Sequence, residues 1–128
     1  KLLKPMRNWL GDYWKLWALM ATALNGNKEY EEGEQAAKHL LGMFPACEAG
    51  YVELSKSMVG QEREQEAYDL MKVALGNLPN SMIIAMAYAA AAKAAGDEEE
   101  SQKMTERIKA VAEQAQKLQS QNGQIQTE

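Results

Sequence analysis

The sequence predicts an all-α protein, a helical-hairpin solenoid of about six helices with a long last helix. Three observations lead there. Proline and β-branched residues are scarce while Ala, Leu, Met, Glu, Gln and Lys abound, a mixture that favours helix throughout. Apolar residues recur at the three- and four-residue spacing that places them on one helix face. Landmarks also repeat at a long interval. LLGMFP, ending at Pro45, is echoed by ALGNLP, ending at Pro79, 34 positions later. Gly26 and Gly60 are also 34 apart, and Gly60 and Gly96 are 36 apart. A period in the mid-thirties with two helices per unit marks a solenoid in which each hairpin covers the apolar face of the next. On the glycine spacing, the third unit is expected to carry about two extra residues and a displaced second helix.

In chain order, residues 1–11 are expected to form an N-terminal segment or the remnant of a preceding helix. Lys1 rather than Met stands first, so the chain is read as processed or as part of something longer. The opening KLLKPMRNWLGDYWKLW mixes cations with Trp9, Trp14 and Trp17, of which the repeat explains only Trp17. Leu2, Leu3, Trp9 and Trp14 fit a cap or preceding helix first and an oligomer contact second. Pro5 and Gly11 are expected to interrupt any amphipathic helix that would lie on a membrane.

Helices are expected near 12–25, 28–43, 47–59, 61–77, 81–95 and 97–120. Asn25-Gly26-Asn27, Val59-Gly60-Gln61 and Ala95-Gly96-Asp97 supply turns within pairs, and the segments at Pro45 and Pro79 supply turns between them. Glycine is read as the left-handed stop at helix ends. Asp97 with Glu100 forms a candidate capping box. Trp17, Met20, Ala21 and Leu24 share a face, as do Tyr51, Leu54, Ser55 and Met58, and Met104, Ile108, Val111, Ala115 and Leu118. The solenoid domain is taken as 12–120 and the Gln-rich 121–128 as a polar tail.

Composition excludes several function classes. With 14 cations against 18 anions, the net charge is −4, which argues against nucleic acid as the main partner because phosphate contacts need clustered Lys and Arg. The longest apolar run, Met82 to Ala92, is half of the roughly 20 residues that a membrane-spanning helix needs. Cys47 is the only cysteine, which rules out an internal disulfide and a four-thiolate zinc site and fits a reducing compartment, cytoplasmic before periplasmic. The sequence has no metal-ligand spacing, Gly-rich phosphate loop or nucleophile motif, so no cofactor is expected. His39 and Cys47 lack an orienting third group and are read as structural rather than as a nucleophilic pair.

From about residue 14 to 112 the chain resembles the tetratricopeptide repeat family. The resemblance rests on Trp17, Met20, Ala21, Leu24, Ala37, Leu40 and Pro45 in one unit. Tyr51, Leu54, Ser55, Met58, Ala67, Met71, Ala74 and Pro79 carry it in the next, and Ala85, Tyr88, Ala89 and Ala92 in a third without a closing Pro. Gly33 departs from the usual Ala. The resemblance implies about three repeats and a concave surface lined by the first helix of each. By position these residues are Lys15, Ala18, Leu19 and Thr22; Ala49, Val52, Glu53 and Lys56; Ile83, Met86, Ala87, Ala90 and Lys93.

Such a groove suits a peptide or helix of a partner with apolar anchors. Some family members grip acidic chaperone tails through groove cations. Here Ala18, Thr22, Glu53, Ile83 and Ala87 hold those places, so that activity is not expected. Bacterial secretion chaperones of this fold are similar in size, but no residue singles them out. Acidic runs at each second-helix start (Glu29, Glu31, Glu32 and Glu34; Glu62, Glu64 and Glu66; Asp97 to Glu100) read first as a dipole-matched solvated edge and second as a lure for a basic partner. The leading expectation is therefore a non-catalytic adaptor or chaperone-like module for a protein partner. The alternative is a structural or oligomerisation subunit, or part of a larger repeat protein, with the groove self-occupied.

Overall fold

A computed structural model describes the backbone of residues 3–127 and the side chains of residues 13–122. The described residues form six helices and no strand: α1 (Leu3–Gly26), α2 (Tyr30–Met43), α3 (Glu48–Gly60), α4 (Glu64–Asn77), α5 (Met82–Ala94) and α6 (Glu98–Thr127). Successive helices pair as hairpins. Each first helix also packs on the next one, α1 against α3 and α3 against α5, as stacking requires.

Both end helices are longer than the sequence suggests. α1 runs unbroken from Leu3, because Pro5 falls in the first turn, where a missing N–H costs nothing, and one interior Gly is tolerated for about 1 kcal/mol. α6 likewise runs through Gly123. The Leu2, Leu3 and Trp9 side chains lie outside the described residues, as do those of the tail from Gly123. Trp14 is half-buried.

The repeat is more regular than the glycines imply. Left-handed backbone occurs at Lys28 (φ 63°), Glu62 (φ 62°) and Gly96 (φ 92°), which are spaced 34 and 34. The same turn bonds recur at the same interval. Lys28, Glu62 and Gly96 donate to the carbonyls of Asn25, Val59 and Lys93, and Glu29, Arg63 and Asp97 donate to those of Leu24, Met58 and Ala92. The second helices start at Tyr30, Glu64 and Glu98, also in register. Gly96 is thus equivalent to Lys28 and Glu62, not to Gly26 and Gly60. The third unit has no insertion, and its second helix is not displaced. Gly26 and Gly60 end their helices without positive φ.

Two apolar clusters hold the hairpins together. Between the first and second lie Ala21, Ala36, Ala37, Leu54, Met58 and Ala67, with Trp17 and Leu24 packed alongside. Between the second and third lie Tyr68, Met71, Ala74, Ile84, Tyr88, Ala89, Ala92 and Met104. Burial keeps both phenols of the second cluster protonated well above their usual range, so they donate. Tyr68 bonds Asp97 at 2.9 Å and Tyr88 bonds Glu100 at 3.1 Å. The capping box therefore forms by half. The Glu100 amide bonds Asp97 Oδ1 at 3.2 Å, but the Glu100 carboxylate serves Tyr88. Ser81 caps α5 by accepting from the Ile84 amide, and its hydroxyl donates to Glu48 at the start of α3.

Candidate functional site: a groove across the first helices

One face each of α1, α3 and α5 meet around a groove of about 760 Å³. α5 lines it with Ile83, Met86, Ala87, Ala90, Ala91 and Ala94, a stripe at three- and four-residue spacing. α3 contributes Val52, Glu53, Ser55, Lys56, Val59 and Gly60 on the same principle. α1 contributes only Thr22, Asn25 and Gly26, joined by Tyr30 from the start of α2. The α5 wall is apolar and mostly alanine, which keeps the floor low. Ile83 and Met86 rise from it, 55% and 57% exposed.

The α1 side of the groove is polar. Glu53 is only 6% exposed, yet its carboxylate is held by protein donors, Thr22 Oγ1 at 3.0 Å and Asn25 Nδ2 at 2.9 Å. Lys56 Nζ stands 3.6 Å away. The Asn25 amide also donates to the Glu53 carbonyl, and Ser57 Oγ donates back to Asn25 Oδ1 at 2.7 Å. Every member thus has partners, which is what a buried carboxylate needs.

This network explains why Gly33 stands where a repeat would usually carry Ala. A Cβ at Gly33 would run into the Asn25 side-chain oxygen and come within 3.2 Å of Ser57 Oγ. A second close approach shapes the rim. The Tyr30 ring lies directly over Gly60, in the space a Cβ there would occupy.

Of the residues expected to line the concave face, Thr22, Val52, Glu53, Lys56, Ile83, Met86, Ala87 and Ala90 are brought together. Lys15, Ala18, Leu19 and Ala49 do not border the groove, and Leu19 points to solvent at the outer edge of α1. Lys93 borders a separate polar depression with Glu98, Ser101, Thr105 and Lys109. The expected positions therefore border the groove on α3 and α5 except at Ala49 and Lys93, and on α1 only at Thr22, because only the last turns of α1 face it. Extending each stripe by one turn would have found Val59, Gly60, Ala91 and Ala94. On α1 the same extension from Thr22 reaches Asn25 and Gly26, whereas Tyr30, at the start of α2, carried no such signal. His39 packs against Trp17 with ring centroids 4.2 Å apart and the rings tilted by 44°. Among the described residues no three His, Cys, Asp or Glu side chains gather as a metal site, and no helix is long and apolar enough to cross a membrane.

Stacked hairpins in strict 34-residue register, open along one face lined by their first helices, define a tetratricopeptide-like helical-repeat fold. Among solved structures the chain is similar to "MamA MSR-1 C2", with a TM-score of 0.63 at 20% identity, covering 89% of this chain and 66% of that one. It is also similar to "MamA AMB-1 C2221", with a TM-score of 0.60 at 20% identity, covering 78% and 59% respectively. This chain thus spans less than two thirds of the length of either. No family model matches it, and no curated protein does.

Proposed function

We propose that the protein is a non-catalytic interaction module that holds a peptide or helix of a partner protein in the groove across α1, α3 and α5. One observation carries this reading. Ile83 and Met86 stand more than half exposed above an alanine floor, flanked by an ordered polar wall. Apolar anchors beside fixed polar groups are the usual make-up of a recognition groove, and a flexible Met adapts its shape to the ligand. The low alanine wall suits a helix, because small side chains let a second helix axis approach closely. The apolar lining and the net charge of −4 favour a protein partner over nucleic acid.

Co-purification from the native source tests the proposal, using wild type, Ile83→Glu plus Met86→Glu, and Val73→Glu as an exposed control outside the groove. The expected result is a partner retained by wild type and by the control and lost by the groove variant. A partner that binds the groove variant as well as wild type removes the assignment.

A further inference from the structure

Beyond Ile108, α6 leaves the body of the solenoid. Met104 is buried and Ile108 half-buried against α5, whereas every residue from Lys109 to Asn122 is exposed. At about 1.5 Å per residue, the backbone from Lys109 to Thr127 continues as helix for roughly 28 Å. Helices in proteins owe most of their stability to packing of an apolar face, and an isolated one of this length is marginal in water. This segment has such a face. Val111, Ala115 and Leu118 continue the seam begun by Met104 and Ile108, and Val111 and Leu118 are 50% and 57% exposed. Lys109, Glu113, Gln116 and Ser120 lie opposite.

We infer that the exposed half of α6 is a ligand for the groove of a second copy of this chain. The inference rests on the groove reading above and names its occupant. Three features match. Val111 to Leu118 spans about 10 Å, within the roughly 16 Å of groove wall between Ile83 and Ala94. The spacing of Val111, Ala115 and Leu118 is that of a helix laid into an apolar trough.

Charge is complementary as well. Residues 109–122 carry Lys109 and Lys117 against Glu113, for a net +1. The rest of the chain carries 12 cations against 17 anions, for a net −5. Glu29, Glu31 and Glu32, with Lys28, border a separate depression that shares Tyr30 with the groove. α6 is one continuous helix, so its outer half cannot turn back into its own groove without breaking. Two copies exchanging these segments fill both grooves.

Sedimentation or light scattering from about 1 to about 300 µM tests this, a range that spans micromolar affinities. Variant A is Val111→Glu plus Leu118→Glu, with an intact groove. Variant B is Ile83→Glu plus Met86→Glu, with an intact α6. All four positions are at least half exposed, so both variants keep the fold, which circular dichroism verifies. Wild type is expected to self-associate with concentration, each variant alone to associate at least about tenfold more weakly, and an equimolar mixture of A and B to form a one-to-one complex.

A wild type that stays monomeric throughout overturns the inference, as does a variant that associates like wild type or a mixture that forms no complex. The groove reading is scored separately. Retention of a foreign partner by variant A and its loss by variant B leaves that reading standing even if self-association fails.

Discussion

The two junctions between hairpins use one backbone plan and opposite chemistries. Between the second and third hairpins the seam is apolar and aromatic, built on Ile84, Met71, Tyr68 and Tyr88, with its polar groups at the margin. Between the first and second the apolar part is mostly alanine, and a buried Asn25–Glu53–Ser57 network does the joining beside it. An apolar seam is stabilised in proportion to area and tolerates sliding. A polar network binds in one register only, because any shift leaves buried groups unpaired. The same polar network forms one wall of the groove, so the junction that fixes register also shapes the candidate site.

The largest effect expected from breaking either junction comes from the apolar one. Ile84 is fully buried, and Ile84→Ala removes three carbons from the seam it shares with Met71, Tyr68 and Tyr88. A loss of about 2–5 kcal/mol is expected from urea unfolding. If the loss is under about 1 kcal/mol, the third hairpin contributes little to the cooperative unit, and the apolar seam is not the stronger of the two.

Acid separates the two ends next. Glu34, buried beside the first turn, accepts from Lys38 at 2.8 Å, from Gln61 at 2.8 Å and from Arg63 at 2.8 Å. The bond from Lys38 above all, with those from Gln61 and Arg63, outweighs the opposing effect of burial and holds its carboxyl at about 2, against 4.5 ordinarily. A folded-state pKa lowered in this way contributes stability that is complete above pH 4.5 and lost as pH falls from there towards 2. The loss is expected to reach about 2–3 kcal/mol by pH 2. Glu34→Gln should flatten that part of the pH–stability curve. An unchanged curve would mean that other carboxylates control acid unfolding.

Gly33 gives a sharper test of the polar junction. Replacing an interior helical Gly by Ala is worth up to about 1 kcal/mol in stability, and that gain is expected at Gly76, where a new Cβ meets nothing within 4 Å. At Gly33 the sign should reverse, to a loss of about 1–3 kcal/mol, because the Cβ displaces Asn25 from its partners. Asn25→Ala removes the obstruction as well as the bonds, so Gly33→Ala should cost less in that background than in wild type. Such a cycle isolates the coupling between the two sites. Additive losses would show that the steric conflict is relieved elsewhere.

Much of this was legible in the sequence for a physical reason. Helix spacing, small residues at crossings and a closing Pro are local requirements of stacked hairpins, so they recur in the residues themselves. The fold follows from that, and so do several of the α3 and α5 positions that border the groove, though Ala49 and Lys93 do not. The length of α1 and α6 did not follow, because Pro5 and Gly11 read as breakers and the Gln-rich end as a tail, although a first-turn Pro and an interior Gly are tolerated in a helix. Asn25 was visible as a turn residue, but its role depends on Glu53 and Ser57, 28 and 32 positions away. The Gly33 substitution made sense only once that network was seen.

The smallest effect concerns the turns, where the three units differ by one residue type at a shared conformation. The left-handed position is Lys28, then Glu62, then Gly96. An L side chain there crowds the backbone at a cost of about 1–2 kcal/mol, which Gly avoids, although Gly gives up more freedom on folding. Glu62→Gly is therefore expected to stabilise by a few tenths to about 1 kcal/mol, and Gly96→Ala to destabilise by about 1 kcal/mol. Both should move the urea midpoint without changing the slope. If Glu62→Gly destabilises instead, the Glu62 side chain holds the turn by an interaction worth more than the strain. The turns would then differ in chemistry as the junctions do, beneath the same 34-residue backbone.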